Sequence, residues 1–140
     1  MKTVVVTDEP QHWSFLNALV TIAHTDEYLS DERYQQDNSL RIINLCSSYN
    51  YQSIGYYTAL LAHARDQNTI PSALTIQDML NAALTKLMSK DINEEIQRSL
   101  KDIKGSEFVL SIYFGKNIAK CHCELAKKFH GMFPLPLFQT

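Results

Sequence analysis

The sequence predicts an α/β domain, three-layered, with a mostly parallel sheet of about four to five strands and helices on both faces. Three observations carry that reading. Residues 3–7, Thr-Val-Val-Val-Thr, form a β-branched run at the extreme N-terminus. Residues 40–45 are a second run of strand length, after which Ile54, Tyr57, Leu61 and Ala64 recur at helical spacing. Residues 107–114 are apolar at nearly every position, the pattern of a strand covered on both faces.

Taken in order, residues 3–7 suit a central or near-central strand. Pro10 opens a polar segment in which Trp13, Ser14, Phe15 and Leu16 make one helical turn packed on the sheet. Residues 18–23 are the next strand, and the acidic residues 26–34 a short surface helix. The strand at 40–45 runs into a polar, tyrosine-rich loop and then a helix from Ser53 to about Asp66. Pro71 holds residues 69–72 extended, as a short fourth strand. Thr75 with Asp78 makes a capping box ahead of Ile76, Leu80, Ala83, Leu84 and Leu87, which predicts one helix over 75–89. Asp91 and Glu94 repeat the arrangement before Ile92, Ile96, Leu100 and Ile103, in a helix ending near Gly105. Gly115 breaks the strand at 107–114. Asn117 caps a last helix that turns Ile118, Leu125, Ala126 and Phe129 inward and stops at Gly131. The apolar, proline-spaced tail reads as a join, so residues 1–133 are one domain and 134–140 a linker or truncated strand.

Composition narrows the function. With 140 residues, a single domain can bury most of its apolar surface unaided. A net charge of -2 and a pI near 6.2 supply no basic stripe to displace counterions, which excludes a dedicated nucleic-acid binder. No apolar run approaches the roughly 20 residues of a membrane helix. Three cysteines give no disulfide framework, so the expected compartment is the cytoplasm. The four glycines stand apart, and none belongs to a phosphate-binding loop.

Candidate chemistry concentrates between strand and helix. A polar loop at the carboxyl end of a strand, followed by a helix, offers backbone N–H groups and the positive end of a dipole. Ser47, Ser48, Tyr49, Tyr51, Gln52, Ser53 and Tyr56 lie there, and Gln77 and Asp78 open a later helix. These residues either line a pocket for a small polar or peptide carboxylate, or do plainer work: Ser53 caps the helix, the tyrosines pack with surface hydroxyls, and Gln77 and Asp78 cap theirs. Cys121-His122-Cys123 with His130 suggests a metal, but side chains two apart on a helix diverge. Cys46 has no neighbouring base in the sequence and reads as a buried strand-end residue.

The wording of this region resembles a known family. Asn44-Leu45-Cys46, Ser48-Tyr49, Tyr51-Gln52-Ser53 and Gly55-Tyr56-Tyr57 are similar to the amino-terminal domain that precedes RimK-like ATP-grasp ligases. So are Leu60-Leu61-Ala62, Pro71-Ser72, Thr75-Ile76-Gln77-Asp78 and Leu110-Ser111-Ile112-Tyr113-Phe114-Gly115. The resemblance implies a non-catalytic domain of an ATP-dependent carboxylate–amine ligase, contributing to acceptor binding. ATP and magnesium would belong to an ATP-grasp module, in cis or in trans, and no cofactor to this chain. Two departures stand out. The family pattern usually closes the helix with Glu-Ala-Arg-Gly where this chain has His63-Ala64-Arg65-Asp66, and its loops often carry a basic residue beside the Ser-Tyr pair, which Ser47 and Asn50 flank here. The rival expectation is a stand-alone interaction module, or a homodimer formed through the tyrosine loop and the apolar tail.

Overall fold

The computed structural model describes residues 1–91, 93–101, 111–113, 116–117 and 123–139. The chain divides into two compact units, Met1–Ile76 and Gln77–Thr140.

In the first unit, β1 (Thr3–Thr7), β2 (Thr21–His24), β3 (Arg41–Asn44) and β4 (Asn68–Ile70) form a four-stranded sheet in the order β2-β1-β3-β4. Every pairing is parallel; Val4 lies opposite Thr21 on one side and Ile42 on the other. β1 is therefore central, as its β-branched run predicts. α1 (Thr25–Ser30) and α2 (Glu32–Gln35) lead from β2 to β3, and α3 (Ile54–Ala64) from β3 to β4. Right-handed crossovers put both of these connections on one face and the β1-to-β2 connection on the other, which gives the three-layer α/β arrangement. Val4, Val6 and Ile42 share a face by strand alternation and pack with Ala23, Tyr28, Tyr34, Leu40 and Ala62.

α1, α2 and α3 are tied together by buried polar groups. Arg65 donates to the Tyr28 and Leu29 carbonyls at 2.9 and 3.2 Å, satisfying the end of α1, and its guanidinium lies 4.8 Å from the Tyr28 ring centre. Gln67 accepts from the Tyr28 hydroxyl and donates to the carbonyls of Tyr34 and Asp37 at 2.6 and 2.8 Å. α3 closes with Gln67 N–H on Ala62 O (2.9 Å) and Asp66 N–H on His63 O (3.1 Å), a Schellman arrangement. Asp66 sits at φ 54°, a left-handed position that glycine adopts without strain.

Several elements depart from expectation for identifiable reasons. Residues 18–23 are not a strand throughout: Leu19 and Val20 N–H both bond Leu16 O, so the chain turns and β2 starts at Thr21. Pro10–Leu16 is a 3-10 helix, longer than the single turn expected, which lies against β2 with Trp13 and Leu16 half-buried. The acidic stretch is two helices, because Asp31 accepts from Arg33 N–H and caps α2; it is not merely superficial, since Tyr28 and Tyr34 point inward. The fourth helix, α4 (Ala73–Leu80), is capped by Ser72, whose hydroxyl accepts from Thr75 N–H, in place of the Thr75–Asp78 box. Its periodicity does not carry on to 89: Asn81 Oδ1 accepts from Leu84 N–H and starts α5 (Ala82–Asp91).

In the second unit α6 (Asn93–Leu100) comes next. β5 (Ser111–Tyr113) joins not a parallel sheet but an antiparallel one, in the order β6-β5-β7, with β6 Lys116–Asn117 and β7 Leu137–Gln139. Asn117 therefore lies in a strand instead of capping a helix. α7 (Cys123–Met132) runs through Gly131. Phe133, Leu135 and Pro136 are buried, and β7 pairs with β5. Ile112, Leu125 and Ala126 form this unit's core with Ile96 and Phe129 against it. The expectations at Ile92, Ile103, Gly105, Gly115, Ile118, Cys121 and His122 lie outside the described residues.

The polar ties lead to two expected outcomes. Asp66→Gly should raise stability by about 0.5–1 kcal/mol, measured by urea unfolding, because it relieves the left-handed strain at the end of α3. Gln67→Ala should lower it by about 2–4 kcal/mol, since a buried hydroxyl and two carbonyls lose their partner.

Candidate functional site

The order β2-β1-β3-β4 reverses direction between β1 and β3, and a crevice at the carboxyl ends of a parallel sheet forms at such a point. The loop from Leu45 to Ser53 leaves β3 there. Leu45 N–H still bonds Val6 O at 2.9 Å, and Thr7 Oγ1 donates to Leu45 O at 3.0 Å, so the loop's first residue remains zipped to β1.

Asn44, fully buried at the end of β3, organises this loop and the start of α3. Its Nδ2 donates to Gly55 O at 2.8 Å, its Oδ1 accepts from Cys46 N–H at 3.2 Å, and its carbonyl accepts from the Tyr49 hydroxyl at 2.6 Å. Ser53 caps α3 by accepting from Tyr56 N–H at 3.3 Å, and its hydroxyl donates to Ser48 O at 3.1 Å. Ser48 Oγ in turn accepts from Asn50 N–H at 3.2 Å. A Cβ on Gly55 would lie 2.1 Å from Ser48 O and 3.0 Å from Cys46 Cβ, so only glycine lets the helix start press against the loop. Gln52 holds φ 64°, an uncommon left-handed conformation beside this contact.

Burial pushes the Cys46 thiol up to about 11, with the Asp8 carboxylate adding to the shift. Burial likewise raises the Tyr49 phenol. Cys46 is thus a neutral packing group at neutral pH, with no thiolate for catalysis. Beyond the loop's own bonds, Tyr51 is 70% exposed, and its ring centre lies 5.6 Å from that of buried Tyr56, which is 6.0 Å from that of exposed Tyr57.

Of the residues singled out in the sequence, Ser47, Ser48, Tyr49, Tyr51, Gln52, Ser53 and Tyr56 gather in this loop and the first turn of α3. Ser47, Tyr51 and Gln52 are exposed, Ser48, Tyr49 and Ser53 half-buried, and Tyr56 buried. Gln77 (exposed) and Asp78 (half-buried) belong to the other unit, on α4. The residue that sequence reasoning missed is Asp8. Its carboxylate accepts from Ser47 N–H at 3.0 Å and from the Ser47 hydroxyl. A carboxylate one position past the end of the first strand was the available signal.

Residues 3–32 and 42–64 contain no Lys or Arg, while Asp8 and Glu9 come directly after β1. Among the described residues no three His, Cys, Asp or Glu side chains converge as a metal site, and no helix is long and apolar enough to cross a membrane. A recess of about 420 Å³ lined by Glu32, Arg33, Gln36 and Asp37 includes none of the singled-out residues.

Gly55→Ala should cost about 2–3 kcal/mol by overpacking, whereas Gly131→Ala, with nothing within 4 Å of the new methyl, should be neutral or stabilising. The Cys46 thiol is neutral when protonated, and its folded pKa lies above its unfolded value. Its contribution is therefore complete below about pH 9 and is lost as pH rises towards about 11. Urea unfolding across this range should show that decline, and Cys46→Ala should remove that part of it.

Comparison with known proteins agrees with the wording of this loop. No curated protein and no solved structure matches the chain. Residues 25–140, however, match the family described as the RimK-like ATPgrasp N-terminal domain, over most of the chain. The chain belongs to the RimK-like ATP-grasp N-terminal domain family.

Proposed function

We propose that this chain is the non-catalytic, acceptor-binding part of an ATP-dependent carboxylate–amine ligase. The loop after β3 forms one wall of the acceptor pocket, and an ATP-grasp module, in cis or in trans, carries ATP, magnesium and the bond-making step. The observation that supports this most directly is the position of Ser47, Ser48, Tyr51 and Gln52 at the carboxyl ends of β1 and β3, where the sheet order reverses. Family membership supports the ligase context.

In this reading the residues do different work. Ser47 offers a backbone N–H and a hydroxyl to a carboxylate. Tyr51 and Tyr57 present exposed aromatic faces to the apolar part of a small polar or peptide acceptor. Asn44, Tyr49, Ser53 and Gly55 hold the loop's shape without touching substrate.

The test is steady-state kinetics of a complete ligase carrying this domain. Ser47→Ala and Tyr51→Ala should each raise the acceptor KM about five- to tenfold, the loss of one hydrogen bond or contact worth about 1–1.4 kcal/mol, and leave the KM for ATP unchanged. An unchanged acceptor KM contradicts the proposal.

One observation favours a second reading, a protein-interaction or self-association module. Phe15 and Leu19 are 71% and 79% exposed, and exposed loop tyrosines lie elsewhere in the same unit. Sedimentation velocity separates the two: a dimer broken by Phe15→Ser and Leu19→Ser supports association, and a monomer at all concentrations contradicts it.

A further inference from the structure

The Ser47 donors that an acceptor would need are already in use. Ser47 N–H and Oγ both bond the two oxygens of one carboxylate, and that carboxylate is Asp8, 39 residues earlier in the chain. The pair bridges the loops that leave β1 and β3, the two strands at which the sheet order reverses. Both loops are anchored behind the contact: Thr7 Oγ1 accepts from Glu9 N–H at 3.1 Å and donates to Leu45 O, and Cys46 N–H is held by Asn44. The contact itself is open to water, Ser47 being exposed and Asp8 half-buried. It can break without unfolding either loop.

We infer that Asp8 is an internal competitor, a latch that occupies the carboxylate-binding donors of Ser47 until an acceptor carboxylate displaces it. The inference rests on the acceptor-wall reading and adds a regulatory contact to it. The geometry demonstrates that these donors fit a carboxylate, because one is seated on them. It also accounts for a loop with no Lys or Arg between residues 42 and 64: the donors are matched to a single carboxylate held by two hydrogen bonds, not to a multiply charged anion. A tethered competitor lowers apparent affinity by the fraction of time the donors are free. A latch closed about nine-tenths of the time weakens binding about tenfold.

The experiment uses the full 140-residue chain, labelled with ¹⁵N and titrated with N-acetylglycine. N-acetylglycinamide serves as the uncharged probe of the same shape. Asp8→Ala should bind N-acetylglycine about tenfold more tightly than the unaltered chain, with the Ser47 amide signal shifting on binding, and should not respond to N-acetylglycinamide. Asp8→Asn keeps the side-chain volume, should move affinity in the same direction, and replaces the alanine variant if that fails to fold. Affinity unchanged or weakened in a folded Asp8 variant overturns the latch. So does binding that leaves the Ser47 amide unmoved, or an equal response to the amide probe. These results bear on the latch alone, because the acceptor wall stands or falls by the acceptor KM of the complete ligase.

Discussion

The arrangement depends on one buried side chain, Asn44. An amide at the end of a central strand, removed from water, must find partners for both its donor and its acceptor or lose several kcal/mol. It finds them in Gly55 O and Cys46 N–H, and its carbonyl takes the Tyr49 hydroxyl. Those three bonds fix the exit of β3, the bend of the loop and the start of α3 relative to one another. Gly55 makes the arrangement sterically feasible, because Ser48 O occupies the space any side chain would need. A hydrophobic residue at position 44 would lose the two side-chain bonds to Gly55 O and Cys46 N–H.

A loop fixed in this way differs from an ordinary connection in what it leaves over. The interior groups are consumed: Tyr49 on Asn44, Ser53 on Ser48 and on the helix start, Ser48 on Asn50. What faces outward is Ser47, whose donors are held by Asp8, together with Tyr51, Gln52 and Tyr57. The positive end of α3 does not stand open as a general anion site, since Ser53 caps it and the Ser48 carbonyl packs against Gly55. Local charge has the same sense, with Asp8 and Glu9 just past β1 and no Lys or Arg in the loop. What the loop presents outward is therefore hydroxyl, amide and aromatic groups rather than cationic side chains.

How much of this the sequence discloses varies with the range of the interaction. β1, β3 and α3 are legible because β-branched runs and 3.6-residue spacing are local signals, and the loop stands out by its density of hydroxyls and tyrosines. The Ser53 cap is legible for the same reason. The break at Asn81 is less so, because apolar spacing persists from Ile76 to Leu87 while a single side chain restarts the helix. The antiparallel sheet is invisible locally: whether β5 pairs with β1 or with the chain's own tail is decided by contacts distant in sequence. Asp8 is missed on the same ground, since nothing near position 8 announces a partner at position 47. The turn that closes α3 is likewise hidden, because Asp66 takes a left-handed position that a glycine would have announced.

The central claim is that the loop after β3 touches the acceptor while bond formation happens in another module. Photo-crosslinking reads that contact directly. A complete ligase of this family carrying this domain would be irradiated with a diazirine-bearing peptide carboxylate and digested, and its adducts located by mass spectrometry. The account predicts adducts on residues 47–57, suppressed by excess unlabelled acceptor. Adducts confined to the ATP-grasp module, with none on this loop, would contradict it.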